Sequence, residues 1–187
     1  KKKDKRARLV LGIWGKPKTG KTGLSLDFPD KTIYVLDWDR GVESTWREHH
    51  DSTDRIQIHC PINRDKRNVI DINKSEKEYG ERNKTFNFMM EAVYSLNCDV
   101  IYITHEKEQY IDNTVVGFVP SWQDWGGKLE QEIRCYSRED KGELKYFAKL
   151  IGSRTKGNLV GTTWTTRDGK PPNVVWHGIT ELRDGAI

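Results

Sequence analysis

The sequence lacks the features that mark several classes of protein. It nowhere approaches the roughly 18 consecutive apolar residues of a membrane-spanning helix, and we expect no signal peptide, with its charged and then apolar segments, at the start. The three cysteines form no CxxC pair, and the five histidines show no ligand spacing with them. We therefore expect a cytoplasmic protein with reduced thiols, no zinc site and no membrane association.

Charge and size permit a nucleic-acid partner without requiring one. The 187 residues carry a net charge of +4. The densest basic cluster lies within residues 1–8, which is typical of a solvated tail or of a contact to DNA. The length fits a single domain. We expect a basic tail over residues 1–7, a core over 8–160 and a strand extension over 161–187.

Apolar runs rich in strand-forming residues alternate with helix-compatible segments in the first third of the chain. The predicted strands cover residues 8–14, 31–39 and 55–62, and the predicted helices cover 21–28 and 42–50. Strands that alternate with helices in this order are typical of a parallel sheet. The pattern therefore predicts an α/β fold with a mainly parallel sheet.

The second half of the chain predicts one more parallel strand and then an antiparallel extension. Apolar residues at spacings of three and four indicate an amphipathic helix over 85–96, and a continuous apolar strand follows over 99–104. Glycine, proline and tryptophan punctuate residues 109–127, which are therefore predicted to be a loop. Residues 132–138 and 144–151 form a predicted antiparallel pair.

One short stretch carries the most specific motif in the chain. It reads GKPKTGKT from Gly15 to Thr22, and it matches the GxxxxGK[ST] phosphate loop at every fixed position. Glycines let such a loop wrap an anion so that backbone N–H groups point inward, and the helix that follows presents its own N–H groups to the same anion. An ordinary surface turn is the alternative, which the flanking strand and helix disfavour.

The motif assigns a task to each of its residues. Lys21 would bridge the β- and γ-phosphates of a nucleotide, and Thr22 would offer its hydroxyl to Mg²⁺. The residues predicted to hold the phosphates are Gly15, Lys16, Pro17, Lys18, Thr19, Gly20, Lys21, Thr22 and Gly23.

Hydrolysis also needs carboxylates at the carboxyl ends of strands beside the loop. Asp37 and Asp39 end the second strand and share a face, which suits a water-and-metal arrangement, while helix capping by Asp39 is the alternative. Asp71 is the candidate for the metal-side aspartate, or else a strand-edge residue. His105 and Glu106 end a later strand, where they would sense the γ-phosphate or form ordinary structural hydrogen bonds.

These stretches together resemble the ATPase core of RecA/RadA-type recombinases. GKPKTGKT followed by TIYVLDWDRGVES resembles the phosphate loop and the acidic strand of that family, and DVIYITHEKE resembles its sensor strand. The chain looks most similar to the phage and archaeal RadA-like single-strand-annealing ATPases, over residues 8–160. The resemblance implies a three-layer RecA-like P-loop core that binds ATP and Mg²⁺.

The resemblance also implies roles for individual residues. Asp39 would be the catalytic carboxylate that orients water, and His105 and Glu106 would occupy the sensor position. KYFAKLIGSRTKG is similar to a strand that carries a basic finger into a neighbouring subunit, so Arg154 is the first candidate for that finger and Lys156 the second. The implied catalytic residues are Lys21, Asp39, Glu106 and Arg154, and the implied metal-site residues are Thr22 and Asp71.

Aromatic residues in the predicted loop are compatible with contact to DNA. They would stack on single-stranded bases or else cap the core, and they are Tyr110, Phe118, Trp122 and Trp125. We therefore expect Mg²⁺-dependent ATP binding and hydrolysis coupled to single-stranded DNA in recombination or strand annealing, by a homo-oligomeric ring or filament. A small-molecule P-loop kinase and a nucleotide-gated assembly factor with little hydrolysis are the alternatives.

Overall fold

The computed structural model describes residues 9–26, 32–37, 41–49, 55–59, 79–121 and 127–165. Within these ranges the chain forms eight β-strands and three α-helices. The strands are β1 Val10–Gly15, β2 Ile33–Leu36, β3 Ile56–His59, β4 Val100–Ile111, β5 Thr114–Pro120, β6 Gln131–Asp140, β7 Glu143–Ser153 and β8 Thr163–Thr165. The helices are α1 Lys21–Leu26, α2 Val42–His49 and α3 Tyr79–Ser95. No helix in the described part of the chain is long and apolar enough to cross a membrane.

The chain divides into two compact units. The first comprises residues 1–29 and 99–187, and the second comprises residues 30–98. The first unit contains the six-stranded sheet and helix α1, while the second contains the parallel pair of β2 and β3 together with α2 and α3. The predicted single domain over residues 1–187, with its tail, core and extension, stays a prediction.

The sheet of the first unit has the strand order β5-β4-β1-β6-β7-β8. β1 lies between β4 and β6 and pairs in parallel with both. The strands β5, β7 and β8 join as antiparallel neighbours. This topology confirms the predicted α/β class, with parallel strands around β1 and antiparallel strands toward the C-terminus.

β1 is buried along its whole length, which explains why its sequence is a continuous apolar run. All six of its residues are buried, and Leu11 and Ile13 are 1% and 0% exposed. Helix α1 packs against β1 and β4 and buries Leu24 and Leu26. Full burial of each such side chain contributes roughly 1.5–3 kcal/mol. The core thus holds β1 in place, so the loop that follows it starts from a fixed point.

The predicted loop over residues 109–127 is wrong as far as residue 120, because β4 and β5 form an antiparallel hairpin there. The turn uses Asp112 and Asn113, both in the left-handed region with φ of 48° and 61°. Two-residue turns of this kind match the right-handed twist of strands. Gly117 and Pro120 suggested a loop, but Gly117 lies inside β5 and Pro120 ends it, where a proline is tolerated.

The antiparallel pair predicted after residue 131 is confirmed as β6 and β7, and both strands are longer than predicted. Their turn consists of Lys141 and Gly142, with φ of 55° and 80°. β8 adds a short third strand to this antiparallel region. The rest of the predicted strand extension, residues 166–187, lies outside the described residues.

Candidate phosphate-binding site

The phosphate-loop motif lies where the central strand of the sheet ends. Gly15 is the last residue of β1, and its register partners are His105 on one side and Cys135 on the other. The loop follows, and helix α1 begins at Lys21. Ligands of open α/β sheets bind at the carboxyl ends of the strands. The fold therefore places the loop where a ligand is expected.

Gly15 has no room for a side chain. A Cβ at this residue would lie 2.0 Å from the carbonyl oxygen of Cys135 and 3.0 Å from the hydroxyl oxygen of Thr19. Lys18 and Gly20 have φ of 61° and 82°, so the backbone turns back on itself between strand and helix. The two fixed glycines of the motif are therefore required for different reasons. Gly15 makes a close backbone contact that excludes a side chain, and Gly20 adopts a left-handed conformation.

The ammonium of Lys21 lies inside the loop. Its Nζ donates to the carbonyl oxygen of Gly15 at 3.0 Å and to that of Lys16 at 2.6 Å, and Lys21 is 7% exposed. The hydroxyl of Thr19 donates to the same Lys16 carbonyl at 2.8 Å. Both of these acceptors are backbone carbonyl oxygens of the loop itself. The loop thus wraps around a buried ammonium, the kind of group that forms charge-assisted hydrogen bonds with an anionic ligand.

Helix α1 brings further donors to the same place. Its first helical hydrogen bond runs from the N–H of Leu24 to the carbonyl oxygen of Gly20 at 3.0 Å, so the N–H groups of residues 21–23 precede the helical ladder. Thr22 lies in this first turn with its hydroxyl. Among the described residues no group of histidine, cysteine and acidic side chains could hold a metal ion by itself. The hydroxyl of Thr22 and the phosphate oxygens of a nucleotide would be among the ligands of a magnesium ion bound here, as they are at phosphate loops in general.

A second cluster lies on the face of the sheet to which Trp14 points. The indole N–H of Trp14 donates to Glu132 at 2.6 Å, and the guanidinium of Arg134 lies 5.3 Å from the indole ring. The Nε of Arg134 donates to the carboxylate of Glu106 at 3.1 Å, and the Glu106 side chain is 3% exposed. Arg134 is thus held by a buried carboxylate beside the end of the central strand.

The ring of Phe118 joins this cluster to the phosphate loop. The Arg134 guanidinium lies 4.8 Å from the ring centroid, and the Nζ of Lys16 lies 5.0 Å from it. Phe118 belongs to β5, so the β4–β5 hairpin reaches the loop through one side chain. Sequence reasoning placed Phe118 in a free loop and did not single out Arg134. No local signal marks this contact, because it depends on the alignment of four strands.

Burial changes the pKa of two groups in this region. It raises the pKa of the Cys135 thiol to about 12, while the nearby Lys21 ammonium acts in the opposite direction. Burial also raises the pKa of the Glu132 carboxyl, against the hydrogen bond from Trp14, which lowers it. Since the thiolate and not the thiol is nucleophilic, Cys135 fills space beside the loop rather than reacting.

Two of the predicted acidic residues, Asp39 and Asp71, lie outside the described residues. Asp37 is 4% exposed, and its carboxylate accepts the N–H groups of Gly41 at 3.2 Å and Val42 at 3.0 Å. Val42 begins α2, so Asp37 caps that helix, a role considered in the sequence for Asp39. The catalytic role of Asp39 and the metal role of Asp71 stay predictions.

The two predicted sensor residues lie on opposite faces of the sheet, since side chains alternate along β4. His105 is exposed and is the register partner of Gly15, so the structure brings it to the phosphate loop. Glu106 instead pairs with Arg134 on the other face. The roles of His105 and Glu106 toward the γ-phosphate stay predictions.

Arg154 lies near the amino-terminal ends of the parallel strands, whereas the phosphate loop follows the carboxyl end of β1. Its backbone N–H donates to the carbonyl oxygen of Glu130 at 2.8 Å, and its Nη2 donates to that of Gly127 at 2.8 Å. Both acceptors precede β6, which runs parallel to β1. The length of β1 therefore separates Arg154 from the loop of its own chain. The finger role of Arg154, and of Lys156 as second candidate, stays a prediction.

Of the aromatic residues predicted to contact DNA, two are described. Tyr110 lies on β4 and is 58% exposed. Phe118 lies on β5 and is only partly exposed, with Arg134 and Lys16 against its ring. Trp122 and Trp125 lie outside the described residues. A base-stacking role stays a prediction for Tyr110 and is less suited to Phe118, whose ring already contacts two cations.

No protein-family model matches the chain, and no curated protein sequence is significantly similar to it. Solved structures are similar. The RadB recombinase aligns with a TM-score of 0.56 and 16% identity, over 86% of this chain and 87% of that one. The flagellar accessory protein FlaH from Methanocaldococcus jannaschii aligns with a TM-score of 0.50 and 13% identity, over 90% and 88% of the two chains. A KaiC-like protein from Pyrococcus horikoshii OT3 aligns with a TM-score of 0.51 and 11% identity, over 91% and 89%. This chain therefore has the RecA-like P-loop fold.

Proposed function

We propose that this chain binds ATP with Mg²⁺ at its phosphate loop and hydrolyses it, acting on single-stranded DNA in recombination or strand annealing. The observation that carries the proposal is the Lys21 ammonium, buried in the loop and hydrogen-bonded to the carbonyl oxygens of Gly15 and Lys16. A triphosphate offers this ammonium anionic oxygens, and hydrogen bonds to anionic oxygens are stronger than those to carbonyl oxygens. Nucleotide binding therefore draws Lys21 from the carbonyls to the phosphates.

In this proposal the loop residues divide the work. Lys21 bridges the β- and γ-phosphates, Thr22 gives its hydroxyl to the metal, and the N–H groups at the start of α1 contact the remaining oxygens. Bound Mg²⁺ neutralises charge on the phosphate oxygens. His105 contacts the terminal phosphate from the neighbouring strand end. Asp39 orients the attacking water and Asp71 supports the metal, as the family resemblance implies.

The proposed action on DNA is supported by the likeness to the RadB recombinase and by the resemblance to RadA-like annealing ATPases. The exposed ring of Tyr110 on the β4–β5 hairpin is available to stack on a base, and the net charge of +4 favours a polyanion. In the same proposal the protein is cytoplasmic.

We also propose that the active form is a homo-oligomeric ring or filament in which Arg154 enters the site of the neighbouring subunit. The position of Arg154 supports this, because the loop of its own chain lies at the opposite end of the parallel strands. In a head-to-tail assembly, the end that carries Arg154 would face the loop of the next subunit.

A nucleotide-gated assembly factor with little hydrolysis is the second candidate. The likeness to the flagellar accessory protein FlaH favours it. Such a factor would use the same loop and the same Lys21 to bind ATP, so binding alone does not separate the two candidates. Turnover, and its response to DNA, does.

The test measures ATP binding by calorimetry, and ATP turnover with and without single-stranded DNA. Lys21→Ala is expected to weaken binding by about tenfold or more, since a hydrogen bond to a charged group contributes about 1.5–3 kcal/mol, and to abolish turnover. Lys149→Ala, which removes an exposed lysine on β7, is the matched control and should leave both unchanged.

Each result points to one function. DNA-stimulated turnover that Lys21→Ala abolishes supports the proposal. Binding without turnover supports the assembly factor, and turnover that requires a small phosphate acceptor supports a kinase. If the native chain binds no ATP in the presence of magnesium, the proposal is wrong.

Mixing two inactive variants tests the role of Arg154. An Arg154→Ala subunit keeps its loop, and a Lys21→Ala subunit keeps its arginine, so a mixed assembly contains some complete sites. With random mixing, about a quarter of the interfaces are complete, and turnover should recover to about that fraction. If the mixture is as inactive as each variant alone, Arg154 does not act across subunits.

A further inference from the structure

The ring of Phe118 contacts two cations that are held very differently. Arg134, 4.8 Å from the ring centroid, is ion-paired with Glu106, whose side chain is 3% exposed. Lys16, with its Nζ 5.0 Å from the same centroid, is exposed, and no carboxylate among the described residues pairs with it. The arginine is therefore held by a buried carboxylate, whereas the contact that the described side chains give the lysine ammonium is with an uncharged ring.

We propose that the Phe118 ring and the phosphates of a bound nucleotide compete for the Lys16 ammonium, so that nucleotide binding releases the β4–β5 hairpin from the phosphate loop. This inference rests on the proposed function of the loop. An aromatic face attracts an exposed ammonium only weakly, and an anionic oxygen attracts it more strongly. A triphosphate bound between the loop and α1 therefore wins the competition.

The backbone of Lys16 strengthens the coupling. Its carbonyl oxygen accepts both the Lys21 ammonium at 2.6 Å and the Thr19 hydroxyl at 2.8 Å. When the Lys21 ammonium turns toward a phosphate, it gives up its hydrogen bond to the Lys16 carbonyl oxygen. Residue 16 therefore loses this backbone hydrogen bond in the same step in which the phosphates attract its side-chain ammonium. One residue thus connects the occupancy of the loop to the position of the hairpin.

Arg134 limits what the release can move. Because it stays paired with Glu106 and in contact with Phe118, the end of β5 remains on the sheet while its tie to the loop is lost. The hairpin extends beyond this point to a tip with exposed apolar side chains, which are Tyr110, Ile111, Val115 and Val116. Coupling is reciprocal, so whatever holds the hairpin away from Lys16 tightens nucleotide binding by the same factor.

The experiment compares the native chain with Phe118→Leu, which removes the π face but keeps an apolar side chain, and with Lys16→Gln, which removes the charge. Hydrogen exchange of peptides covering residues 106–120 is followed by mass spectrometry, with and without magnesium and a non-hydrolysable ATP analogue. In the native chain the analogue should speed exchange. In both variants, exchange of these peptides should already be faster than in the native chain without the analogue, and the analogue should not change it.

Calorimetry with the same analogue supplies the second readout. Phe118→Leu should bind it about two- to fivefold more tightly, because the competing ring is gone. The controls are Lys149→Gln, at an exposed lysine on β7, and Phe88→Leu, at a ring on α3 that is 77% exposed. Both should behave like the native chain.

The outcomes separate this inference from the proposed function. A native chain that binds the analogue but shows unchanged or slower exchange in the hairpin overturns the inference and leaves the proposed function standing. Weaker binding by a folded Phe118→Leu overturns it as well. Absence of binding to the native chain overturns the proposed function, and the inference with it. Should Phe118→Leu fail to fold, Lys16→Gln still carries the test, because the residue is exposed.

Discussion

The two hairpins of the first unit share one architecture. Each consists of a strand paired with β1 and a returning antiparallel strand. Each turn has two residues, and both lie in the left-handed region, Asp112 and Asn113 in β4–β5 and Lys141 and Gly142 in β6–β7. Their geometry is therefore set by the same requirement of strand twist.

The hairpins differ in where their aromatic rings make contact. In β6–β7 the ring of Phe147 stacks on Tyr136 at 5.2 Å and lies 4.5 Å from the Arg138 guanidinium, so these contacts stay within the hairpin. In β4–β5 the ring of Phe118 instead contacts Arg134 and Lys16, which belong to other elements. The ring contacts of Phe147 are thus local to its hairpin, whereas those of Phe118 connect its hairpin to β6 and to the candidate phosphate loop.

The largest expected effect comes from Gly15→Ala, which disturbs the strand between both hairpins. The new Cβ would lie 2.0 Å from the carbonyl oxygen of Cys135, so β1 and β6 must separate. The free energy of unfolding, measured by urea denaturation, should fall by roughly 3 kcal/mol. Gly152→Ala is the control, since nothing lies within 4 Å of its Cβ position, and equal losses in both variants would show that Gly15 is not constrained as described.

The next effect separates an ion pair at the Phe118 cluster from one within β6–β7. Glu106→Gln leaves Arg134 without its carboxylate, and because the Arg134 side chain is only 29% exposed, unfolding free energy should fall by roughly 2 kcal/mol. Asp140→Asn breaks the pair with Lys145, whose members are 45% and 41% exposed, and it should cause no measurable change. Thermal denaturation of the two variants compares how much each ion pair contributes to stability. Similar melting temperatures would show that the two pairs do not differ as expected.

The two turns should respond to substitution in opposite directions. Gly142→Ala forces a side chain into a backbone with φ of 80°, so it should destabilise the chain by roughly 1 kcal/mol. Asn113→Gly gives β4–β5 the turn sequence that such hairpins prefer, and it should stabilise by about 0.3–0.5 kcal/mol. Urea denaturation measures both, and a loss of stability in Asn113→Gly would contradict the turn geometry.

The smallest effects are expected from pH, with opposite signs at the two ends of β6. Burial raises the pKa of Glu132 above its ordinary value of 4.5, so its contribution to stability is present below that value and is lost as pH rises through the raised pKa. The hydrogen bond from Lys145 lowers the pKa of Asp140 below 3.8, so the contribution of Asp140 is present above that value and is lost as pH falls.

Melting temperatures from about pH 3 to about pH 7 measure both signs. The native chain should lose stability relative to Glu132→Gln as pH rises from 4.5, because the glutamine still accepts the Trp14 N–H but carries no charge. The melting temperatures of Asp140→Asn should differ least from those of the native chain, since Asp140 is exposed to solvent. Parallel profiles of the native chain and Glu132→Gln would show that burial does not shift Glu132.

What can be predicted from sequence in this protein follows the range of the interactions. The loop of residues 15–22 was predictable because its glycines, Lys21 and Thr22 act over eight adjacent positions. The β6–β7 hairpin was predictable from Lys141 and Gly142, a recognisable turn between two strand-like runs. The β4–β5 hairpin was missed because its turn, Asp112 and Asn113, contains no glycine, while Gly117 and Pro120 suggested a loop.

The α/β class, the phosphate loop and the strand that carries it can be predicted from the amino-acid sequence alone, since local motifs and apolar runs consist of consecutive residues. By contrast, the pairing of Arg134 with Glu106, 28 residues away in the chain, and the contact of Phe118 with Lys16 become visible in the folded chain. These contacts exist because β5, β4, β1 and β6 lie side by side in that order. Strand order and register bring distant residues within bonding distance, and neither is encoded in the spacing of the residues that meet.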